Sequence, residues 1–243
     1  QFTKKDLYQL INWTKQSIEK SAHIVTVSNF SKSEIEKTYK INPNKITIAY
    51  NGVDTPPIID KKNQQKILSS YNLKPKLYYL YLGTLKPNKN IPFLIKSFTK
   101  YFKSNSNELE TKLVIAGKKG WLFNEIFETV KKEGIESRII FTDFIDESQK
   151  WTLYQNTKAL IMPSTYEGFG IPVIEAMKVN IPVISSNISP LKEVIKDTGF
   201  YFNPTNQQEL VDQIIKLEKL NSLEVKKITD KARVRANLFS WTN

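Results

Sequence analysis

Two glutamates, Glu167 and Glu175, flank a glycine-rich run that reads Glu167-Gly168-Phe169-Gly170-Ile171-Pro172-Val173-Ile174-Glu175. The residue types predict what such a run can hold. Pro172 suits the first turn of a helix, where its missing N–H costs nothing, so the N–H groups near Phe169, Gly170 and Ile171 are left without helical partners. Free N–H groups at the positive end of a helix attract an anion, and glycines remove the side chains that would block its approach. Glu175 is expected in the first turn of that helix and Glu167 just before the loop, so that both carboxylates border one cleft with a phosphate between them. A carboxylate accepts paired hydrogen bonds from sugar hydroxyls, which orients a ligand as well as holding it. The plainer readings are an acid placed well for a helix dipole, worth about 0.3 to 1 kcal/mol, and a surface loop acid. Two glutamates with this glycine loop between them favour the binding site.

Three other loops follow apolar runs. Gly83-Thr84-Leu85-Lys86-Pro87-Asn88-Lys89-Asn90 pairs a glycine, which lets a ligand approach the backbone, with lysines that supply point charges for phosphate; it reads equally as a plain basic turn. Gly117-Lys118-Lys119-Gly120 is a second glycine turn of the same kind. Thr142-Asp143-Phe144-Ile145-Asp146 either walls a base pocket or caps the next helix.

The elements that must position these loops are legible from residue 77 onward, where short apolar, aromatic-rich runs alternate with amphipathic stretches, as in βα units built on a parallel sheet. Strands are expected over 77–82, 113–116, 139–141, 159–162, 183–185 and 200–202. Helices are expected over 93–102, 122–132, 149–156, 172–178, 190–195 and 207–217, the last with Asn206 and Glu209 as a capping pair. That is a complete doubly wound domain, whose ligands sit at the carboxyl ends of its strands.

The first 54 residues read as helix, strand (23–27), helix (31–39) and strand (46–50). Asn51-Gly52 and Thr55-Pro56-Pro57 then give turn and linker composition. Two strands cannot bury both faces of a sheet, so this piece is expected to be the end of a domain that starts before residue 1. Phe239 and Trp241 are expected to have little to pack against.

Composition narrows the partners. The 243 residues carry a formal charge of +12, no cysteine and one histidine, His23. Thiol chemistry is excluded, and a lone histidine makes no metal cluster; a structural role is expected for it. The charge fits nucleic acid, an anionic membrane or a phosphorylated small molecule, but scattered lysines without Arg–aromatic interleaving argue against nucleic acid. No run of about 18 apolar residues is present, and a cytoplasmic location is the default expectation.

With these motifs in hand, the chain resembles glycosyltransferase family four, retaining enzymes of the GT-B fold with two facing Rossmann-like domains. His23 to Ser31 is similar to the last strand region of the family's amino-terminal domain, Tyr50-Asn51-Gly52-Val53-Asp54 to its interdomain turn, Gly83 to Asn90 to its first phosphate loop, and Pro163 to Met177 to its two-glutamate signature. The resemblance implies an α/β GT-B architecture, with residues 1–54 the remnant of an amino-terminal acceptor domain and 55–76 a linker and lead-in. Residues 77–238 would be the nucleotide-sugar-binding domain and 239–243 the start of a return helix. It implies that Glu175 holds the ribose hydroxyls and that Glu167, the catalytic candidate, contacts the donor sugar. Ser164, Gly168, Phe169, Gly170 and Ile171 would surround sugar and diphosphate, with Gly83, Thr84 and Lys89 at the diphosphate, Gly117, Phe144 and Ile145 at the base, and Lys118 among the donor contacts. Asn88 stands where the similar Gly-Thr-Leu subgroup carries arginine, leaving Lys89 as the main cation, with Lys86 able to assist.

That subgroup resembles mannosyltransferases of surface polysaccharide assembly. It implies a nucleotide diphosphate hexose donor, GDP- or UDP-linked with GDP-mannose favoured, a glycan or lipid-linked acceptor, no cofactor and no bound metal. Peripheral contact with an anionic membrane at its cytoplasmic face fits the charge. A sugar-nucleotide epimerase of the same fold and a non-catalytic binding module remain alternatives at this point. The amino-terminal catalytic groups of the family are not found in residues 1–54, so a chain that binds donor without completing transfer is expected.

Overall fold

The computed structural model describes residues 4–104, 110–121 and 123–241, without the side chains of residues 4–6. Leu122, expected to open a helix, and residues 242–243 lie outside the described residues.

A six-stranded sheet dominates, formed by β3 (Tyr78–Leu82), β4 (Lys112–Ala116), β5 (Ile139–Asp143), β6 (Leu160–Met162), β7 (Val183–Ser186) and β8 (Phe200–Phe202). Every pairing is parallel, in the order β5-β4-β3-β6-β7-β8. Helices α4 (Ile91–Ser104), α5 (Asn124–Glu133), α6 (Glu147–Asn156), α7 (Ile171–Lys178), α8 (Ser189–Ile195) and α9 (Gln207–Glu218) make the crossovers and the return. Burial on both faces explains why the strands read as continuous apolar runs. In β3, Tyr78 and Leu80 enter one core and Tyr79 and Tyr81 the other. Each buried tyrosine keeps a partner for its hydroxyl: Tyr78 donates to the Leu153 carbonyl, and Tyr79 and Tyr101 both donate to Glu218, which Lys158 also contacts.

A smaller sheet precedes it. Helix α1 (Lys4–Lys20) leads to β1 (Ile24–Thr26), α2 (Asn29–Tyr39) and β2 (Ile46–Ile48), with β1 and β2 paired in parallel. Ser28 caps α2 by accepting from the N–H of Ser31. His23 sits exposed at the start of this sheet and contacts the Thr47 hydroxyl at 2.7 Å.

Two helices carry no sequence expectation. Helix α3 (Lys61–Ser70) falls within the stretch expected as linker and lead-in; it buries only Leu68, so its apolar stripe is too thin to read. Helix α10 (Ser222–Ala236) buries Thr229, Ala232 and Ala236 and packs against α7. Its buried face is made of small residues, which apolar periodicity does not register. The Asn221–Glu224 capping box was the available signal. The expected Asn206–Glu209 pair is half correct: Asn206 accepts from the N–H groups of Gln208 and Glu209, while the Glu209 carboxylate accepts from the N–H of Asn203 instead of returning to the cap's own N–H.

Candidate functional site

The strand order reverses between β3 and β6, and in such sheets the crevice at the carboxyl ends of the two diverging strands is where ligands bind. The loop after β3 and the loop after β6 meet there and are tied together. Thr165 donates its N–H to the Asn88 carbonyl at 2.9 Å, the Asn88 amide donates to the Tyr166 carbonyl at 3.0 Å, and the Asn90 amide donates to the Pro163 carbonyl at 3.2 Å. Lys89 and Glu167 close the set with Nζ 2.6 Å from Oε1, their side chains 18% and 11% exposed. Ser164 donates to the same Glu167 oxygen at 2.6 Å. Asn88, read as a lost cation, therefore braces one loop against the other. The negative charge of Glu167 adds to burial in pushing the Tyr81 hydroxyl pKa upward.

Glycine is required where the neighbouring loops converge. Gly117 has φ near 140°, and a Cβ there would lie 2.2 Å from the Gly83 carbonyl oxygen, so the turns after β3 and β4 touch backbone to backbone. Gly170 has φ near 127° and caps α7. Its carbonyl accepts from the N–H groups of Val173 and Ile174, which closes the first turn of α7.

Glu175 corrects the expected placement. It lies in the second turn of α7, not the first, and so has no first-turn dipole role. Its carboxylate is also held by protein groups: Lys150 Nζ lies 2.8 Å from Oε1, and Tyr154 donates its hydroxyl to Oε2 at 2.9 Å. Burial, with the Glu175 charge beside it, pushes the Tyr154 hydroxyl pKa well up, which keeps it a donor. Glu175 borders a cavity of about 300 Å³ walled by Lys150, Glu147, Trp151 and Ile171 on one side and by residues 52–55, Pro57 and Trp241 on the other. Sequence reasoning missed Lys150, Tyr154, Trp151 and this linker wall.

The expected base-side residues belong to the loops after β4 and β5, and none of them lines that cavity. Gly117 donates its N–H to the Asp143 carbonyl, Lys118 stands 4.5 Å above the exposed ring of Phe144, and Ile145 is partly buried just before α6. Asp146 also forms a capping box with Gln149, so the loop after β5 does cap its helix. Thr84 follows Gly83 at the end of β3, and its carbonyl lies 3.4 Å from the Tyr81 hydroxyl. Lys86 lies 4.4 Å over Trp121.

The family model described as glycosyl transferases group 1 matches residues 62–235, and the model described as glycosyltransferase family 4 matches residues 2–56. The chain belongs to the group 1 glycosyltransferases. The O-antigen chain mannosyltransferase B of Escherichia coli is 28% identical over 230 residues, covering 94% of this chain and 59% of that protein. The O-antigen chain mannosyltransferase RfbU of Salmonella typhimurium is 32% identical over 206 residues, covering 85% and 54%. This glycosyltransferase chain thus spans little more than half the length of these two relatives. Solved structures show the same GT-B fold. A glycosyltransferase from Rickettsia africae matches with TM-score 0.80 at 23% identity, covering 90% of this chain and 60% of that one. Anabaena Alr3699/HepE in complex with UDP and glucose matches with TM-score 0.82 at 17% identity, covering 98% and 64%.

In this glycosyltransferase the small sheet is seated on the glycine loop. Ser28 and Ser31 donate their hydroxyls to the Gly168 carbonyl at 2.7 and 3.3 Å. From α8, the Glu193 carboxylate accepts from the N–H groups of Asn29 and Phe30 at the positive end of α2, from the Asn29 amide and from the Tyr50 hydroxyl. Tyr50, Phe169 and Phe239 pack ring against ring. Phe239 is buried, contrary to expectation, because this cluster and the bond from the Val53 N–H to its carbonyl receive it.

The Glu193 contacts carry a pH dependence. Burial opposes its ionisation, but the N–H, amide and hydroxyl donors outweigh it and hold its pKa below the ordinary 4.5. A depressed carboxylate pKa stabilises the fold above the unfolded value, and that stability is lost as pH falls through the folded value. We therefore expect the melting temperature of Glu193→Gln to lie below wild type above pH 4.5, with the gap closing on further acidification. A gap that stays constant down the acid limb would show that the carboxylate's charge plays no part.

Proposed function

We propose that the chain is the donor-binding half of a retaining hexosyltransferase that takes mannose from a nucleotide diphosphate sugar for polysaccharide or glycoconjugate synthesis. The observation that supports it is the tied pair of loops at the switch point. They bring the Lys89 cation, the glycine loop at the α7 N-terminus and the Glu167 carboxylate to one crevice, with Glu175 bordering the cavity beside α7. The diphosphate lies between Lys89 and the helix end, Glu175 takes the ribose hydroxyls, Glu167 the sugar hydroxyls, and Gly117, Lys118, Phe144 and Ile145 flank the base. As the bond from the anomeric carbon to the diphosphate breaks, the charge that develops on the leaving oxygen is met by Lys89 and the loop N–H groups. The acceptor hydroxyl oxygen then bonds to the anomeric carbon on the face the diphosphate leaves, and its proton passes to the departing phosphate oxygen.

The names of the two O-antigen relatives favour mannose, and hence GDP-mannose. The charge of +12 suits an anionic membrane surface with a lipid-linked acceptor at its cytoplasmic face. Among the described residues no helix is long and apolar enough to cross a membrane.

A thermal-shift panel tests the reading, because a ligand bound only by the native state raises the melting temperature. GDP-mannose is expected to give the largest shift, with UDP-glucose and UDP-N-acetylglucosamine below it. No shift with any sugar nucleotide would overturn the donor-site assignment. Holding acceptor and donor in register is worth about 7 to 11 kcal/mol of barrier. Among the described residues the small sheet touches the glycine loop but forms no second wall for an acceptor. Residues 1–243 alone are therefore expected to bind donor and transfer nothing to lipid-linked mannosyl acceptors.

A further inference from the structure

Lys150 is absent from every sequence motif, yet it is the cation in contact with Glu175. It lies on α6 and reaches 2.8 Å to Glu175 Oε1 and 2.9 Å to Glu147 Oε1. One turn further along α6, Tyr154 donates to the other oxygen of Glu175, so an i, i+4 pair on one helix grips the carboxylate of another from both sides. The Lys150 and Glu175 side chains are 17% and 10% exposed, while Glu147 is 73% exposed. The Lys150 ammonium lies over Trp151, with Nζ 4.8 Å from the ring centroid.

The arrangement has an energetic asymmetry. A carboxylate this enclosed loses hydration, and deleting its cation would leave a poorly solvated charge that the fold must expose or strain to accommodate. Burial works against the Lys150 ammonium as well, but its hydrogen bonds to Glu175 and Glu147 outweigh that and hold its pKa above the ordinary lysine value. The ammonium therefore stays charged. Each carboxylate oxygen has further lone-pair capacity after one bond, and that capacity borders the cavity between α6, α7 and residues 52–55.

We propose that Lys150 is a positioning residue for ribose recognition: it holds the Glu175 carboxylate in one orientation, so that it accepts two vicinal hydroxyls of the nucleotide. The proposal rests on the reading of Glu175 as the ribose ligand. The lysine touches no hydroxyl itself; it sets the discrimination between ribose and a sugar that lacks those hydroxyls. Glu147, accessible and on the same lysine, holds the ammonium over Trp151 but faces solvent, and so contributes less.

The test compares GDP and UDP with their 2′,3′-dideoxy forms by calorimetry, in wild type, Lys150→Met and Lys150→Arg. Met keeps an unbranched side chain of similar length and removes the charge; Arg keeps the charge. Wild type is expected to favour the ribonucleotide by about tenfold or more, the worth of a charged hydrogen-bond pair. Lys150→Met is expected to bring that ratio near one while leaving dideoxynucleotide affinity within about twofold, and Lys150→Arg to restore most of it. A ribose preference that survives in Lys150→Met would overturn the role of Lys150 while leaving Glu175 as the ribose ligand. Absence of the preference in wild type would overturn the Glu175 assignment and this proposal with it. Should Lys150→Met lose its cooperative melt, Lys150→Gln, which donates a hydrogen bond without charge, is read by the same criteria.

Discussion

Lys89→Ala should reduce affinity for a nucleoside diphosphate on the order of a hundredfold, combining a lost charge-assisted contact with a newly unpaired acid beside the phosphate. Lys89 lies 2.6 Å from Glu167, in a pair whose side chains are mostly enclosed. Truncating the lysine removes the cation for the diphosphate and leaves Glu167 with the Ser164 hydroxyl alone among its hydrogen-bond donors in the described structure. That carboxylate then repels the ligand the lysine attracted. The bare nucleoside carries no phosphate and should bind with little change, so calorimetry with nucleoside and nucleoside diphosphate separates charge from structure. Equal losses for both ligands would refute a phosphate role. Adding Glu167→Gln to Lys89→Ala should recover part of the diphosphate affinity, because the repulsion goes even though the attraction does not return.

Glu175→Ala should cost both nucleotide affinity and stability. The binding loss is about 1.5 to 3 kcal/mol, that of a charged hydrogen-bond acceptor. The stability loss follows from burial. Without the carboxylate, among the described residues the Lys150 ammonium keeps the exposed Glu147, and the Tyr154 hydroxyl keeps a longer bond to the Pro172 carbonyl at 3.2 Å. Breaking such an enclosed pair by deleting one partner costs on the order of 3 kcal/mol. Glu175→Gln preserves volume and one acceptor, and should separate the two effects by losing binding with a smaller fall in melting temperature. A Glu175→Ala protein that melts like wild type would mean that the carboxylate carries no structural load. Unchanged nucleotide affinity would remove it from the ribose site.

The legible part of this molecule was the part encoded locally. Strands buried on both faces must be apolar runs, and the loops after them must use glycine where backbones touch, so β3 to β8 and the Glu167–Glu175 run can be read directly. The unread part depends on partners distant in sequence. Lys150 sits among polar neighbours on α6, and nothing local shows that its partner is Glu175. Glu193 looks like an ordinary acid on a short helix, and only the folded chain places it at the end of α2. Phe239 was misjudged for the same reason, since Tyr50 and Phe169 are remote along the chain. Helix α10 escaped because alanine and threonine bury a face without marking it as apolar.

The brace between the loops after β3 and β6 also bears on how such a site changes over generations. Asn88 is bound through its carbonyl to Thr165 and through its amide to Tyr166, while the next two residues reach Glu167 and Pro163. A replacement at 88, 89 or 90 is therefore felt in a segment more than seventy positions away in the chain. Viable variants on the two sides of the crevice will be epistatic, each tolerable only on the background of the other. The arginine characteristic of similar loops is not a free swap at Asn88: it would restore a cation but replace the amide tie to the Tyr166 carbonyl, leaving the backbone bond from Thr165 and the ties of the next two residues.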